Sequence, residues 1–315
     1  MTTISGVQNG YPQQGRVKDN PGFFKKLGAG MVGGLVTAPF VAGTTLAAGL
    51  FLQNKMVKIN RSVAKDSVEI LNKAGDKILR ESGLADKGVK IFRTLPEDMK
   101  LQLSMGNPFK YVFPKIPKKL DKFLKLLNPV YQTKLGRNAF FDFTNNRVVA
   151  TNKIALSQFH ELGHAMNHHN GGFGKLLQNL RLDLLKKTPV RKMPVVGTFA
   201  VIAASVIGLV SVFKNKKAEG EKPKGIFDTV TTFIKNNVGK LTFLTMLPIV
   251  LEEGLASFKG EKAVKGLISN DLFKKVKLSN RIGLASYATL AVITGLGAYW
   301  ASKIRDKIAQ PNLNK

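Results

Sequence analysis

The chain has no cysteine. Disulfides and thiolate metal ligands are therefore excluded, although nothing follows about redox compartment. Acidic residues are scarce: 20 Asp and Glu stand against 49 Lys and Arg, a formal charge of +29. Such an excess points to an anionic partner, either nucleic acid or a lipid surface. Histidine is scarcer still, with 4 in the chain, all between residues 160 and 169. No internal repeat is visible. The 315 residues are enough for one or two domains that bury a core.

Long charge-free runs decide between the two partners. Residues 27–54, 193–213 and 282–302 carry no charged side chain, and each is bracketed by lysine or arginine. About 20 apolar residues cross a bilayer as a helix. All three runs are rich in Gly, Ala, Val and Thr, which let membrane helices pack closely. The sequence thus predicts an integral membrane protein, of a bacterial inner membrane or an organelle membrane, with anionic lipids as neighbours. Soluble nucleic-acid binding ranks last and no nucleic-acid partner is expected. The first run starts too late, and is too long, for the apolar core of a signal peptide. Residues 1–26 are a polar N-terminus expected to be disordered.

Between the runs, residues 62–82 predict an amphipathic helix with Val63, Val68, Leu71, Ile78 and Leu79 near one face. Residues 93–117 hold four prolines and predict irregular chain. Residues 118–127 predict a helix with lysines opposite Leu120, Phe123, Leu124 and Leu127, suited to an anionic membrane surface or an ordinary protein surface. Residues 138–151 predict a β-hairpin turning at Thr144-Asn145-Asn146. A histidine-bearing helix follows and ends at Gly171-Gly172. Residues 174–187 predict another amphipathic helix, with Leu177, Leu180 and Leu184 in line. Residues 214–235 read as a basic loop and 303–315 as a basic tail.

The segment Phe159-His160-Glu161-Leu162-Gly163-His164-Ala165 contains H-E-x-x-H. Histidines four apart share one helix face and can bind one Zn²⁺. Zinc lowers the pKa of a bound water to about 7. Glu161 is then placed to take the water's proton as general base and pass it to a leaving amine. His168 continues the same row. The helix is expected to fray at Asn170, which leaves His168 and His169 solvated or behind the ligands.

Catalytic zinc usually takes three protein ligands, so a third must come from elsewhere. Glu253 is the better candidate and Glu252 its competitor, because two acids ending an apolar run are costly near a membrane unless they have a function. Ala256 and Ser257 leave room for packing against the histidine helix. His160 and Glu253 can share a metal only if an even number of crossings separates them. One is 193–213; the other must be the weak run 236–251, a short crossing or re-entrant helix with Pro248 kinking it and Lys240 reaching the headgroups. Residues 55–192 and 252–281 would then be two parts of one catalytic domain. The N-terminus, the 214–235 loop and the C-terminus would share the opposite face.

His160-Glu161-x-x-His164, a membrane hairpin after it, and Glu253-x-x-Ala256-Ser257 beyond the hairpin resemble the integral-membrane gluzincins. That group holds the HtpX-type quality-control proteases and the CAAX prenyl endopeptidases. Asn138-Ala139-Phe140 resembles the family's Asn-Ala-Phe segment, so the likeness covers roughly residues 130–265. It implies a mainly α, multi-span fold with a zincin-like metallopeptidase domain containing a small β-hairpin. It also implies ligands His160, His164 and Glu253, base Glu161, and hydrolysis of peptide bonds in membrane or membrane-proximal proteins. The family usually has aspartate where Ser257 stands, and commonly one where His168 stands. The competing expectation is a non-enzymatic, basic multi-span scaffold or pore-forming protein whose H-E-x-x-H is incidental.

Overall fold

The structure is a computed structural model that describes residues 21–104, 117, 128–182, 198–218 and 220–311. Residues 1–20 of the N-terminus expected to be disordered, residues 105–116 of the proline-rich stretch, the helix over 118–127 and residues 312–315 of the basic tail lie outside these residues. So do residues 193–197 of the second apolar run. Where the N-terminus, the proline-rich stretch and the basic tail are described they differ from expectation: residues 23–26 open a long helix, Glu97–Ser104 is helical, and residues 303–309 continue the last helix.

The chain is mainly helical. α1 (Phe23–Arg61) and the last helix, α11 (Asn270–Ala309), hold 39 and 40 residues. At 1.5 Å per residue each is close to 60 Å long, so both outrun a bilayer and enter the rest of the protein. They run antiparallel. Gly33 sits so near α11 that a Cβ there would lie 2.5 Å from the Ala301 carbonyl oxygen. At the other end the Asn60 amide donates to Ser279 Oγ at 3.4 Å. Glycine and alanine at the crossing let the backbones approach, as lipid-embedded helices need.

Among the described residues, three helical stretches are long and apolar enough to cross a membrane: Phe23–Arg61, Val238–Val264 and Asn270–Ala309. Of the run over 193–213, residues 198–213 form α7 (Thr198–Phe213), and its first five residues lie outside those described. The weak run over 236–251 belongs to a stretch that continues through residue 264. It is built from α9 (Val238–Thr245) and α10 (Leu247–Val264). Pro248 does not kink the middle of a helix; it stands in the first turn of α10, where its missing N–H is not needed. The 214–235 segment is likewise only partly loop, because α8 (Gly225–Asn236) occupies its second half.

Contacts fix the direction of this stretch. Lys235, just before it, reaches Asp306 and Ser302 on α11, whereas Glu261 near its end accepts from Asn280 of the same helix. α9 and α10 therefore run antiparallel to α11 along most of its length. The start of α1 meets the end of α7 through stacked Phe23 and Phe213 rings, 5.2 Å apart.

The globular part gathers where α1 ends and α11 begins. α2 (Lys65–Glu81) buries Leu71 and Ile78 on the predicted face. Its core includes Val148, Leu156, Phe159, Leu162, Val264 and Val276. α3 (Glu97–Ser104) and α4 (Pro129–Lys134) are short peripheral helices. The hairpin forms as expected, with β2 (Phe140–Asp142) antiparallel to β3 (Arg147–Val149) and Phe141 opposite Val148. β1 (Lys90–Phe92) was not anticipated; it pairs parallel with β3, giving the order β1-β3-β2. A 3₁₀ segment, Asn152–Ser157, leads directly into α5 (Gln158–His169), and α6 (Gly172–Leu182) follows the two left-handed glycines Gly171 and Gly172.

Asn60 ties these parts together. Its Oδ1 accepts from the Leu156 amide at 3.1 Å while its Nδ2 donates to Met56 O at 3.0 Å. The side chain is buried. Asn60→Leu keeps the volume but orphans the Leu156 N–H, and should lower stability by about 1–3 kcal/mol. Thermal unfolding of the detergent-solubilised protein measures this.

Candidate metal centre

α5 presents His160 and His164 on one face, and α10 presents Glu252 and Glu253 opposite them. The helices touch almost backbone to backbone. A Cβ on Gly163 would lie 1.9 Å from the Ala256 carbonyl oxygen, and one on Gly260 would lie 2.0 Å from that of Phe159. Only glycine fits at either place. This closeness lets a glutamate side chain reach the histidine rings.

Three donor atoms converge. His160 Nε2 is 3.0 Å from His164 Nε2 and 3.0 Å from Glu253 Oε2. His164 Nε2 is 3.4 Å from the same oxygen. Bonds of about 2.0–2.1 Å at tetrahedral angles set ligand atoms about 3.3 Å apart, so the triangle fits a small divalent cation. His160, His164 and Glu253 form a group that could hold a metal ion.

The surroundings fix which nitrogens face inward. Glu252, fully buried, takes the Nδ1–H of His164 at 2.8 Å and also accepts from the Asn167 amide at 3.0 Å. A carboxylate there leaves the Nε2 lone pair of His164 directed at the other two donors. His160 Nδ1 lies 3.0 Å from Ser257 Oγ. With Nδ1 protonated on both rings, two lone pairs and a carboxylate oxygen meet at one point, an arrangement that calls for positive charge between them. Burial disfavours the charged form of His164, but the Glu252 and Glu253 carboxylates outweigh it and raise its pKa well above the ordinary histidine value. The same negative surroundings attract a metal cation, which would release that proton.

The other sequence candidates are placed as follows. Glu161 is buried and lines the same cavity as the trio. Glu252 and Glu253 divide their roles, the first holding a ring and the second facing the shared point. Ser257 touches His160. His168 stands outside the trio, bonded through Nδ1 to Gln178 Oε1 at 3.1 Å and packed edge-on against Phe141. Ser157 was missed. It lies one turn before His160, is buried, lines the cavity, and its hydroxyl has no hydrogen-bond partner among the described residues. The i−3 spacing from His160 was the available signal.

The cavity has a volume of about 1330 Å³. It begins at His160, Glu161, His164 and Glu253 and continues between α1 and α11 as far as Ala38 and Leu290. Met56 to Ala38 alone is 18 residues of α1, about 27 Å. Strand β2, an edge of the sheet, borders it through Phe140 and Phe141.

Fold and site together define a mainly helical chain with, among the described residues, three stretches long and apolar enough to cross a membrane and a largely buried His-His-Glu group at one end of them. Comparison with protein-family models, with curated proteins and with solved structures gives no match.

Removing the carboxylate behind His164 has a calculable consequence. Glu252→Gln should weaken binding of a divalent cation at the trio by about 10–100-fold, because a neutral amide oxygen holds the His164 N–H less strongly than the carboxylate does. Ser257→Ala should weaken it less, since a hydroxyl is the poorer anchor. Competition titration with a fluorescent zinc chelator compares the two.

Proposed function

We propose that the chain is a membrane-embedded zinc endopeptidase of the integral-membrane gluzincin type, acting on membrane or membrane-proximal polypeptides. The observation that carries this reading is the convergence of His160 Nε2, His164 Nε2 and Glu253 Oε2 within 3.0–3.4 Å beside Glu161. Zn²⁺ held there supplies Lewis acidity that brings water to ionise near neutral pH, at about 7. Glu161 takes the proton of the attacking water and delivers it to the departing amine. Glu252 and Ser257 hold the two imidazoles. Strand β2, whose outer side pairs with no other described strand, would offer its backbone groups to an extended polypeptide lying in the cavity. The reach of that cavity between α1 and α11 favours substrates that emerge from the bilayer.

The test is metal analysis of the purified full-length protein alongside cleavage of an unfolded membrane protein in detergent. One zinc per chain, lost in His160→Ala and in Glu253→Ala together with cleavage, is the expected result. Substoichiometric zinc, unchanged in both variants, would overturn the reading and favour the non-enzymatic scaffold.

A further inference from the structure

On the side away from the His-His-Glu group, α8 carries an apolar stripe that no other described element covers. Ile226 and Phe227 are 85% and 83% exposed, and Val230 and Phe233 follow at helical spacing on the same face. The opposite face is firmly seated. Thr231, Thr232 and Lys235 are buried, and Lys235 donates to Ser211 O and Ser302 Oγ while pairing with Asp306 at 2.7 Å. Asp228 binds Lys214 and Lys217 and accepts from the Lys224 amide, which folds the lysine-bearing loop over the start of the helix. The stripe is thus held outward by a fixed base.

What covers it follows from its position and its charge. Asn280, on the side of the His-His-Glu group, and Arg305, beside α8, are separated by 25 residues of one helix, about 37 Å or roughly a bilayer. α8 therefore lies where the crossing helices leave the hydrocarbon core. Phe23 and Phe24, exposed at the start of α1, share this end and are followed by Lys25 and Lys26. In the 214–235 segment Lys214 and Lys217 are taken up by Asp228 and Lys235 by Asp306, but Lys222 and Lys224 are exposed immediately before the stripe. An apolar stripe flanked by lysines at this depth matches an anionic lipid interface.

We propose that α8 is an in-plane membrane anchor. Its Ile226-Phe227-Val230-Phe233 stripe lies among the acyl chains, and the lysines of the preceding loop bind anionic headgroups, on the bilayer face opposite the His-His-Glu group. This is independent of metal binding and of peptidase activity.

The absence of native cysteine makes the test clean, since Phe227→Cys on the stripe and Lys73→Cys on the globular part each give one spin-label site on an exposed position. The full-length protein is reconstituted in phosphatidylcholine vesicles with and without phosphatidylglycerol. The expected result, with phosphatidylglycerol, is a label at 227 that collides several-fold more with oxygen and several-fold less with a neutral nickel chelate than the label at 73. Lys222→Gln with Lys224→Gln should weaken the phosphatidylglycerol-dependent protection, by about fivefold per lysine in the binding equilibrium. Equal accessibility at 227 and 73 would overturn the proposal. So would protection that is indifferent to phosphatidylglycerol, or spin–spin broadening showing that a second copy covers the stripe.

Discussion

If the chain is the proposed zinc endopeptidase, Glu161→Gln should leave one zinc per chain in the purified protein and lower peptide-bond cleavage by a factor of about 10²–10⁴. The two halves of this result have separate physical origins. Metal retention follows because Glu161 is not one of the three converging donors, which are supplied by His160, His164 and Glu253. Glutamine keeps the size of glutamate, so the packing of α5 is undisturbed. The loss of rate follows because an amide cannot take a proton from water at neutral pH. Zinc content by mass spectrometry and initial rates on one preparation read both halves. Wild-type cleavage in the variant would remove Glu161 from the mechanism even if zinc were present.

Gly163→Ala has the larger effect on the protein as a whole. The added methyl would sit 1.9 Å from the Ala256 carbonyl oxygen, and neither backbone can yield without moving its helix. α5 and α10 must separate, which carries Glu253 away from the two Nε2 atoms. Overpacking of this kind typically destabilises by about 1–3 kcal/mol, and backbone against backbone places this case at or above the upper end. Metal binding should fall with it. Gly254→Ala is the matched control: it stands beside Glu253 on the same helix, where a methyl meets only Leu284 at 3.8 Å, an ordinary contact. Zinc binding and thermal midpoint should be near wild type for Gly254→Ala and both depressed for Gly163→Ala. Equal behaviour of the two variants would mean that the close approach of these helices does not hold the site together.

The parts legible in the sequence are those set by local spacing. Histidines at 160 and 164 must share a helix face, and alternating residues around Thr144-Asn145-Asn146 must turn back as β2 and β3. Long apolar runs announce α1 and α11 by length alone. The parts that were not legible depend on a partner. Glu252 and Glu253 are adjacent in sequence, and only the phase of α10 against α5 sends one to the ring and the other to the shared point. β1 is three residues long, too few for a period, and exists because β3 lies beside it. α8 was hidden among lysines whose charge is answered by Asp228 and Asp306, the latter some seventy residues later in the chain. The length of the weak run has a similar cause. Residues 252–264 continue it although they carry charge, because Glu252, Glu253 and Ser257 are buried against the globular part.

The positions of His164 and Glu253 in the chain impose an order of events. The trio draws two members from α5 and the third from α10, with α6, α7, α8 and α9 between them. A chain interrupted before α10 is in place possesses both histidines and the proposed base, but lacks the carboxylate that closes the triangle. If the trio is the proposed zinc site, such a chain would be disarmed, and completion of the last inward helix during biogenesis would be the step that arms the molecule.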